Sequence, residues 1–126
     1  MIKLLLVEDN EMYRNILGRR LKSRGYEVIT AIDGREGLTK SHTENPDLIL
    51  LDMGLPKITG WDLVRLLKAS EVTQHTPIIA ITAFALDGYR EKALQVGCEG
   101  YMAKPVEFST LIEQITTLVS QPITIK

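Results

Sequence analysis

The sequence has a single cysteine, Cys98, so no internal disulfide can form and an oxidising compartment is not expected. Charge of one sign is also missing. The 15 basic and 16 acidic side chains leave a formal charge of −1, which gives no bulk attraction to nucleic acid or anionic lipid. Hydrophobic runs are only four or five residues long, against the roughly 18 that a membrane-crossing helix requires. Met1-Ile2-Lys3 leads straight into a strand-like pattern and leaves no room for a signal peptide. No Gly-rich loop follows the first apolar run, which argues against a nucleotide site. Internal repeats, low-complexity segments and interdomain linkers are absent too. What remains is an expectation of one cytoplasmic, monomeric domain, with 44% hydrophobic residues in 126 to build one core.

What is present is a regular alternation. Ile2 to Val7 forms a first strand-like run that ends at Glu8-Asp9. Met12, Ile16, Leu17 and Leu21 then recur at helical spacing, with Arg14, Arg19, Arg20, Lys22 and Arg24 interleaved as a solvated basic face. Asp9 or Asn10 supplies the cap of this helix and Gly25 its stop. Tyr26 to Ala31 is a second strand, and Asp33 with Glu36 has the spacing of a capping box. The helix behind it contains Gly37, Thr39 and Ser41, so it must lean on tertiary packing. Leu48 to Leu51 is a third strand ending at Asp52, followed by the turn residues Gly54, Pro56 and Gly60.

Trp61, Leu63, Val64, Leu66 and Leu67 mark a third helix, and Ile78 to Ile81 a fourth strand ending at Thr82. A fourth helix is predicted to begin within Leu86 to Gly88 and to end at Gly97. Glu99 to Met102 is short and polar enough to be an edge strand. Phe108, Leu111, Ile112, Ile115, Leu118 and Val119 give a fifth helix, after which residues 121–126 form a polar tail that frays beyond a domain spanning 1–120. Five strand–helix pairs with short connections predict an α/β fold with a five-stranded parallel sheet, and right-handed crossovers leave few arrangements of it. The order chosen among them is 2-1-3-4-5, doubly wound in the flavodoxin-like manner.

That order has a chemical consequence. It puts Glu8, Asp9 and Asp52 at one carboxyl edge of the sheet, with Thr82 and Lys104 completing the rim. Two like charges about 4 Å apart repel by roughly 4 kcal/mol at an effective dielectric near 20, so three clustered acids need a cation. An all-oxygen acidic cleft suits Mg²⁺, and Mg²⁺ suits phosphoryl oxygens. Asp52 would then be the nucleophile, as carboxylates are in aspartyl-phosphate chemistry. Lys104 supplies a point charge, Thr82 a hydroxyl donor, and Gly54 and Ala83 let backbone N–H groups come close.

Leu6-Val7-Glu8-Asp9-Asn10, Asp52-Met53-Gly54-Leu55-Pro56 with Gly60, Ile81-Thr82-Ala83 and Lys104-Pro105 together resemble the receiver domains of two-component response regulators, the CheY-like superfamily, in their short stand-alone form. The resemblance implies a phosphoprotein of a phosphorelay, with Asp52 accepting a phosphoryl group from a histidine kinase or histidine phosphotransfer protein. It implies Mg²⁺ held by Asp9, Asp52 and the Gly54 carbonyl, with Glu8 acting through water. Lys104, Thr82 and Ala83 would contact the phosphoryl group, and the bond to Pro105 would be cis. Thr82 and Tyr101 would be the switch pair, the loop 83–88 the bistable element, and helix four, strand five and helix five the surface read by a downstream protein. Such a protein is not an enzyme acting on a separate substrate, although it can catalyse its own phosphorylation and dephosphorylation.

Glu8 replaces the aspartate usual in the family, keeping the charge on a longer arm. Gly54 and Phe84 occupy positions that tune self-hydrolysis. A dehalogenase-type phosphatase would need a second acid two residues after Asp52, where this chain has Gly54. A receiver-like interaction module that is never phosphorylated would be expected to have lost one of Asp9, Asp52, Thr82 or Lys104, and none is lost. His42, on a weak helix, and His75, in a loop, are not read as phosphoryl carriers. Trp61 and Cys98 read as packing residues.

Overall fold

The computed structural model describes residues 1–83 and 87–119. Strands β1 (Lys3–Val7), β2 (Glu27–Ala31), β3 (Leu48–Asp52), β4 (Ile78–Thr82) and β5 (Gly100–Ala103) alternate with helices α1 (Glu11–Ser23), α2 (Gly34–Thr43), α3 (Gly60–Ala69), α4 (Tyr89–Val96) and α5 (Phe108–Val119). All strand pairs are parallel, in the order β2-β1-β3-β4-β5. The flavodoxin-like order and the edge position of β5 are as the sequence predicts, with element ends shifted by a residue or two. Phe84 and the tail 121–126 lie outside the described residues.

The alternation of side chains along each strand divides the core in two. Leu5, Val7, Ile49, Leu51, Ile78 and Ala80 face α2, α3 and α4. Leu4, Leu6, Leu48, Leu50, Ile79 and Ile81 face α1 and α5. Strand β3, bonded on both sides, is buried at all five residues, including the terminal Asp52. Each fully buried Leu or Ile contributes about 1.5–3 kcal/mol, so a strand firmly anchored in the core ends in a carboxylate.

Local chemistry fixes the helix starts. Asn10, rather than Asp9, caps α1, its side chain accepting from the Tyr13 N–H at 2.8 Å. Asp33 accepts from the Glu36 N–H at 2.8 Å. Glu36 reaches back one residue further than the usual capping box and accepts from the Ile32 N–H at 2.7 Å. That hydrogen bond holds the Glu36 carboxyl below its ordinary pKa. Thr59 caps α3 by accepting from the Asp62 N–H.

The dependence of α2 on packing has a visible cause. A Cβ at Gly37 would lie 3.0 Å and 3.1 Å from the Val7 methyls and 3.3 Å from Leu63, so the helix rests directly on β1 and α3. At the opposite edge of the sheet, Lys68 pairs with Glu99 at 2.9 Å while Glu99 accepts from the Ile78 N–H, joining α3 to the starts of β4 and β5.

Gly60 sets the turn after Asp52. A Cβ there would overlap the Met53 Cα and approach the Asp52 carbonyl oxygen at 2.9 Å. Gly54 is open, with only the Asp52 Oδ1 near its Cβ position, at 3.6 Å. Gly60→Ala is therefore expected to lower unfolding free energy by about 2–3 kcal/mol in urea titrations, whereas Gly54→Ala should stay within about 0.5 kcal/mol of the parent. Equal effects of the two would contradict this packing.

Candidate functional site

The carboxyl ends of β1 and β3 are neighbours in the sheet, with Val7 in register with Leu51. The residues that follow therefore emerge side by side. One carboxylate oxygen from each of Glu8, Asp9 and Asp52 lies within 4.8 Å of the others. Glu8 and Asp52 are buried, at 2% and 7% exposure, while Asp9 faces solvent. The cluster thus has a dry floor and one wet wall.

Its charge is balanced from β5. Lys104 Nζ lies 2.8 Å from Glu8 Oε1 and 3.4 Å from Asp52 Oδ2. Burial nonetheless outweighs this pairing at Glu8. Desolvation, with the nearby Asp52 charge, raises the Glu8 carboxyl above its usual 4.5, against the pull of Lys104 and the Asn10 N–H. The two acids in turn raise the Lys104 ammonium above its ordinary value despite its own desolvation. The ammonium therefore stays charged throughout the physiological range.

Asp52 Oδ1 accepts from the Gly54 N–H at 2.9 Å, so the two Asp52 oxygens have different environments. Gly54 itself is exposed. Glu8 uses its second oxygen, Oε2, to accept from the Asn10 N–H at 3.0 Å, so both Glu8 oxygens have protein partners. Thr82 is buried at the end of β4, and Ala83 is exposed just beyond it. The Lys104–Pro105 peptide is cis. Tyr101 is half-buried on β5, in register with Ala80, and packs against the α3–α4 side of the core. Thr82 pairs with Ala103, which places Thr82 and Tyr101 on the same face of adjoining strands, diagonally apart. Glu8, Asp9, Asp52 and Lys104 are brought together directly, whereas Tyr101 stands back from them.

Two contributors were not evident in the sequence. Arg14 was read as part of a solvated face, but it is half-buried and its Nη1 donates to the Glu8 carbonyl at 2.9 Å, bracing the β1–α1 turn. Arg20 and Arg24 depart from that reading more mildly. They are exposed, yet their guanidinium carbons lie 4.2 Å and 5.4 Å from the Phe108 ring centroid. Tyr13 was not singled out at all, although its ring centroid lies 4.5 Å from Lys104 Nζ. The available signal was an aromatic three residues after the cap, on the turn nearest the acids.

The ion cluster yields a pH-dependent prediction. Lys104→Met leaves Glu8 buried without its cation and is expected to cost about 3 kcal/mol of stability at pH 7 in metal-free buffer. Without the ammonium, the folded-state pKa of Glu8 rises further above its unfolded value. A carboxyl shifted upward holds its proton more tightly when folded, so it destabilises as pH rises through that folded value. The deficit of the variant should therefore shrink as pH falls toward 4.5 and below. Denaturation curves across pH test this, and a deficit independent of pH would contradict it.

Comparison with known proteins agrees with the geometry. Residues 4–116 match the model of the response regulator receiver domain. Over 111 residues, 88% of this chain and 90% of the relative, the chain is 40% identical to the polar-differentiation response regulator DivK of Brucella ovis. It is similar in structure to the receiver domain of a sensor histidine kinase from Pseudomonas aeruginosa, in whose active-site cleft a magnesium ion is coordinated. That similarity has 35% identity and a TM-score of 0.88, and it covers 95% of this chain and 98% of that one. Chemotaxis protein CheY4 of Vibrio cholerae is 31% identical, with a TM-score of 0.87 over 94% of this chain and 98% of its own. Sequence and fold agree over nearly the whole length: the chain belongs to the response regulator receiver domains, the modules of two-component phosphorelay signalling.

Proposed function

We propose that this protein accepts a phosphoryl group on Asp52 from a histidine kinase or histidine phosphotransfer protein, and that the acyl phosphate alters a surface read by another protein. One observation carries the proposal. The carboxylate ending a strand buried at all five residues shares an edge with two further acids and a lysine within 3.4 Å.

In the transfer, an Asp52 carboxylate oxygen attacks phosphorus and a new P–O bond forms. The P–N bond to the donor imidazole breaks with its electrons, and that nitrogen takes a proton. Such a step requires in-line positioning and charge stabilisation more than covalent help from the protein. The Lys104 ammonium already touches Asp52 Oδ2, and the Gly54 N–H holds Oδ1 in place. Thr82 and the backbone at Ala83 lie at the end of the adjacent strand to receive the transferred oxygens.

The donor set fits Mg²⁺: three carboxylates converge within 4.8 Å, all oxygen, one of them open to solvent. Asp9 and Asp52 would hold the ion through their side chains and Gly54 through its carbonyl. Glu8, both of whose oxygens are engaged, would act through water. When bound, the ion offsets charge on the phosphoryl oxygens. The protein would thus promote its own phosphorylation and, by admitting water beside the open Gly54, its own dephosphorylation.

The acyl phosphate adds negative charge and acceptor oxygens at the end of β3. Thr82 and Tyr101 would transmit this change, since they share a face of β4 and β5, and α4, β5 and α5 would present it to a protein partner.

Incubation with Mg²⁺ and acetyl phosphate is expected to add one phosphoryl mass to the wild type and none to Asp52→Asn, as read by intact-protein mass spectrometry. Chelation of Mg²⁺ should abolish the gain. An equal gain in Asp52→Asn, or none in the wild type with a cognate kinase present, would overturn the proposal.

A further inference from the structure

The β1–α1 and β5–α5 turns both contribute to the site, yet β3 and β4 separate their strands in the sheet. Main-chain pairing therefore does not tie them together. Tyr13 spans the gap. Its phenolic oxygen accepts from the Val106 N–H at 3.3 Å, across 93 positions of sequence. Its ring centroid lies 4.5 Å from Lys104 Nζ. One side chain thus holds the residues on both sides of Pro105.

Tyr13 is itself held in place. Its N–H is bonded to the Asn10 side chain at 2.8 Å, and the Asn10 N–H to Glu8 Oε2 at 3.0 Å. The connected series Glu8, Asn10, Tyr13, Lys104 returns to Glu8 through the 2.8 Å ion pair. Lysine is a flexible four-carbon stem carrying a point charge, with rotamer entropy to lose on being fixed. Beside the ammonium opens a shallow depression lined by Asn10, Met12, Tyr13, Ile16 and Pro105, and Tyr13 is its aromatic wall. A π face on that side limits the outward excursions that would take the ammonium from Asp52.

We infer that Tyr13 is a positioning residue for phosphoryl transfer, holding the Lys104 ammonium over Asp52 through its ring. The inference rests on the reading of Asp52 as the phosphoacceptor. With acetyl phosphate, the carboxylate oxygen attacks phosphorus and the P–O bond to the acetyl group breaks, releasing acetate. Tyr13 touches neither reacting atom and acts only on where the lysine waits.

The test measures the initial rate of phosphoryl uptake from acetyl phosphate and Mg²⁺ by the full chain. Tyr13→Leu and Tyr13→Met remove the π face with apolar fillers of different shape, so one stands in if the other folds poorly. Tyr13→Phe keeps the ring. Nuclear magnetic resonance of the Lys104 methylene beside Nζ reads the position of the ammonium stem directly. The expected result is a slowing of roughly 3- to 10-fold in the Leu and Met variants, the factor that such a contact is worth. Tyr13→Phe should stay close to the wild type. The ring-current shift of the Lys104 methylene should persist in wild type and Tyr13→Phe and vanish in the other two.

Unchanged rates in folded Leu and Met variants would overturn the inference, as would a Tyr13→Phe protein as slow as they are. So would slowed variants whose Lys104 resonances do not move, since Tyr13 would then act elsewhere. A wild type that takes up no phosphoryl group would remove the reading of Asp52 and this inference with it, which distinguishes the two failures.

Discussion

Repulsion among three carboxylates is the constraint to which the rest of this structure answers. Glu8, Asp9 and Asp52 each bring an oxygen within 4.8 Å of the others, two of them from buried residues. At such separations each like-charge pair costs about 4 kcal/mol at an effective dielectric near 20. The Lys104 ammonium relieves part of that cost by touching Glu8 and Asp52 together. The remainder is an unmet demand for positive charge, which a bound cation would have to meet before an anionic phosphoryl group could enter at the same edge. A site that is unfavourable alone is primed to bind.

The scaffold keeps that tension from relaxing. β3 is bonded on both sides and buried throughout, so Asp52 cannot retreat without disturbing the core. Gly60 fits against Met53 and the Asp52 carbonyl, which closes the turn beneath the acid. Arg14 fastens the Glu8 carbonyl from the first turn of α1, and Asn10 caps the same helix while binding Glu8 Oε2 through its N–H. Tyr13 brings the β5 side of the cleft to the β1 side. Each contact limits the movement of the site's charged side chains or of the backbone that carries them.

The fold was legible in the sequence because its signals are local and periodic. Runs such as Leu48 to Leu51 and Ile78 to Ile81, the stop at Gly25 and the caps at Asn10 and Asp33 specify elements within a few residues of themselves. Short connections and the handedness of crossovers left few strand orders, and the order chosen among them was the known doubly wound one. The acids of the site were legible for the same reason, since each ends or follows a strand. What stayed hidden depends on contacts between distant residues. The Tyr13–Val106 bond, Arg14 at the Glu8 carbonyl, Lys68 with Glu99 and the guanidinium groups on Phe108 are long-range or side-chain choices with no periodic signature. A basic helical face reads as solvated when its aromatic and carbonyl partners lie elsewhere in the chain.

The account's central claim is that the acid ending β3 is the group that becomes phosphorylated. The most direct measurement is chemical. The protein, loaded from a phosphorylated histidine donor, is reduced with borohydride, which converts an aspartyl phosphate to homoserine, and the peptides are sequenced. The account predicts homoserine at position 52 and nowhere else. Homoserine at Asp9 instead, or a label that survives on a histidine or hydroxyl side chain with Asp52 unreduced, would contradict it.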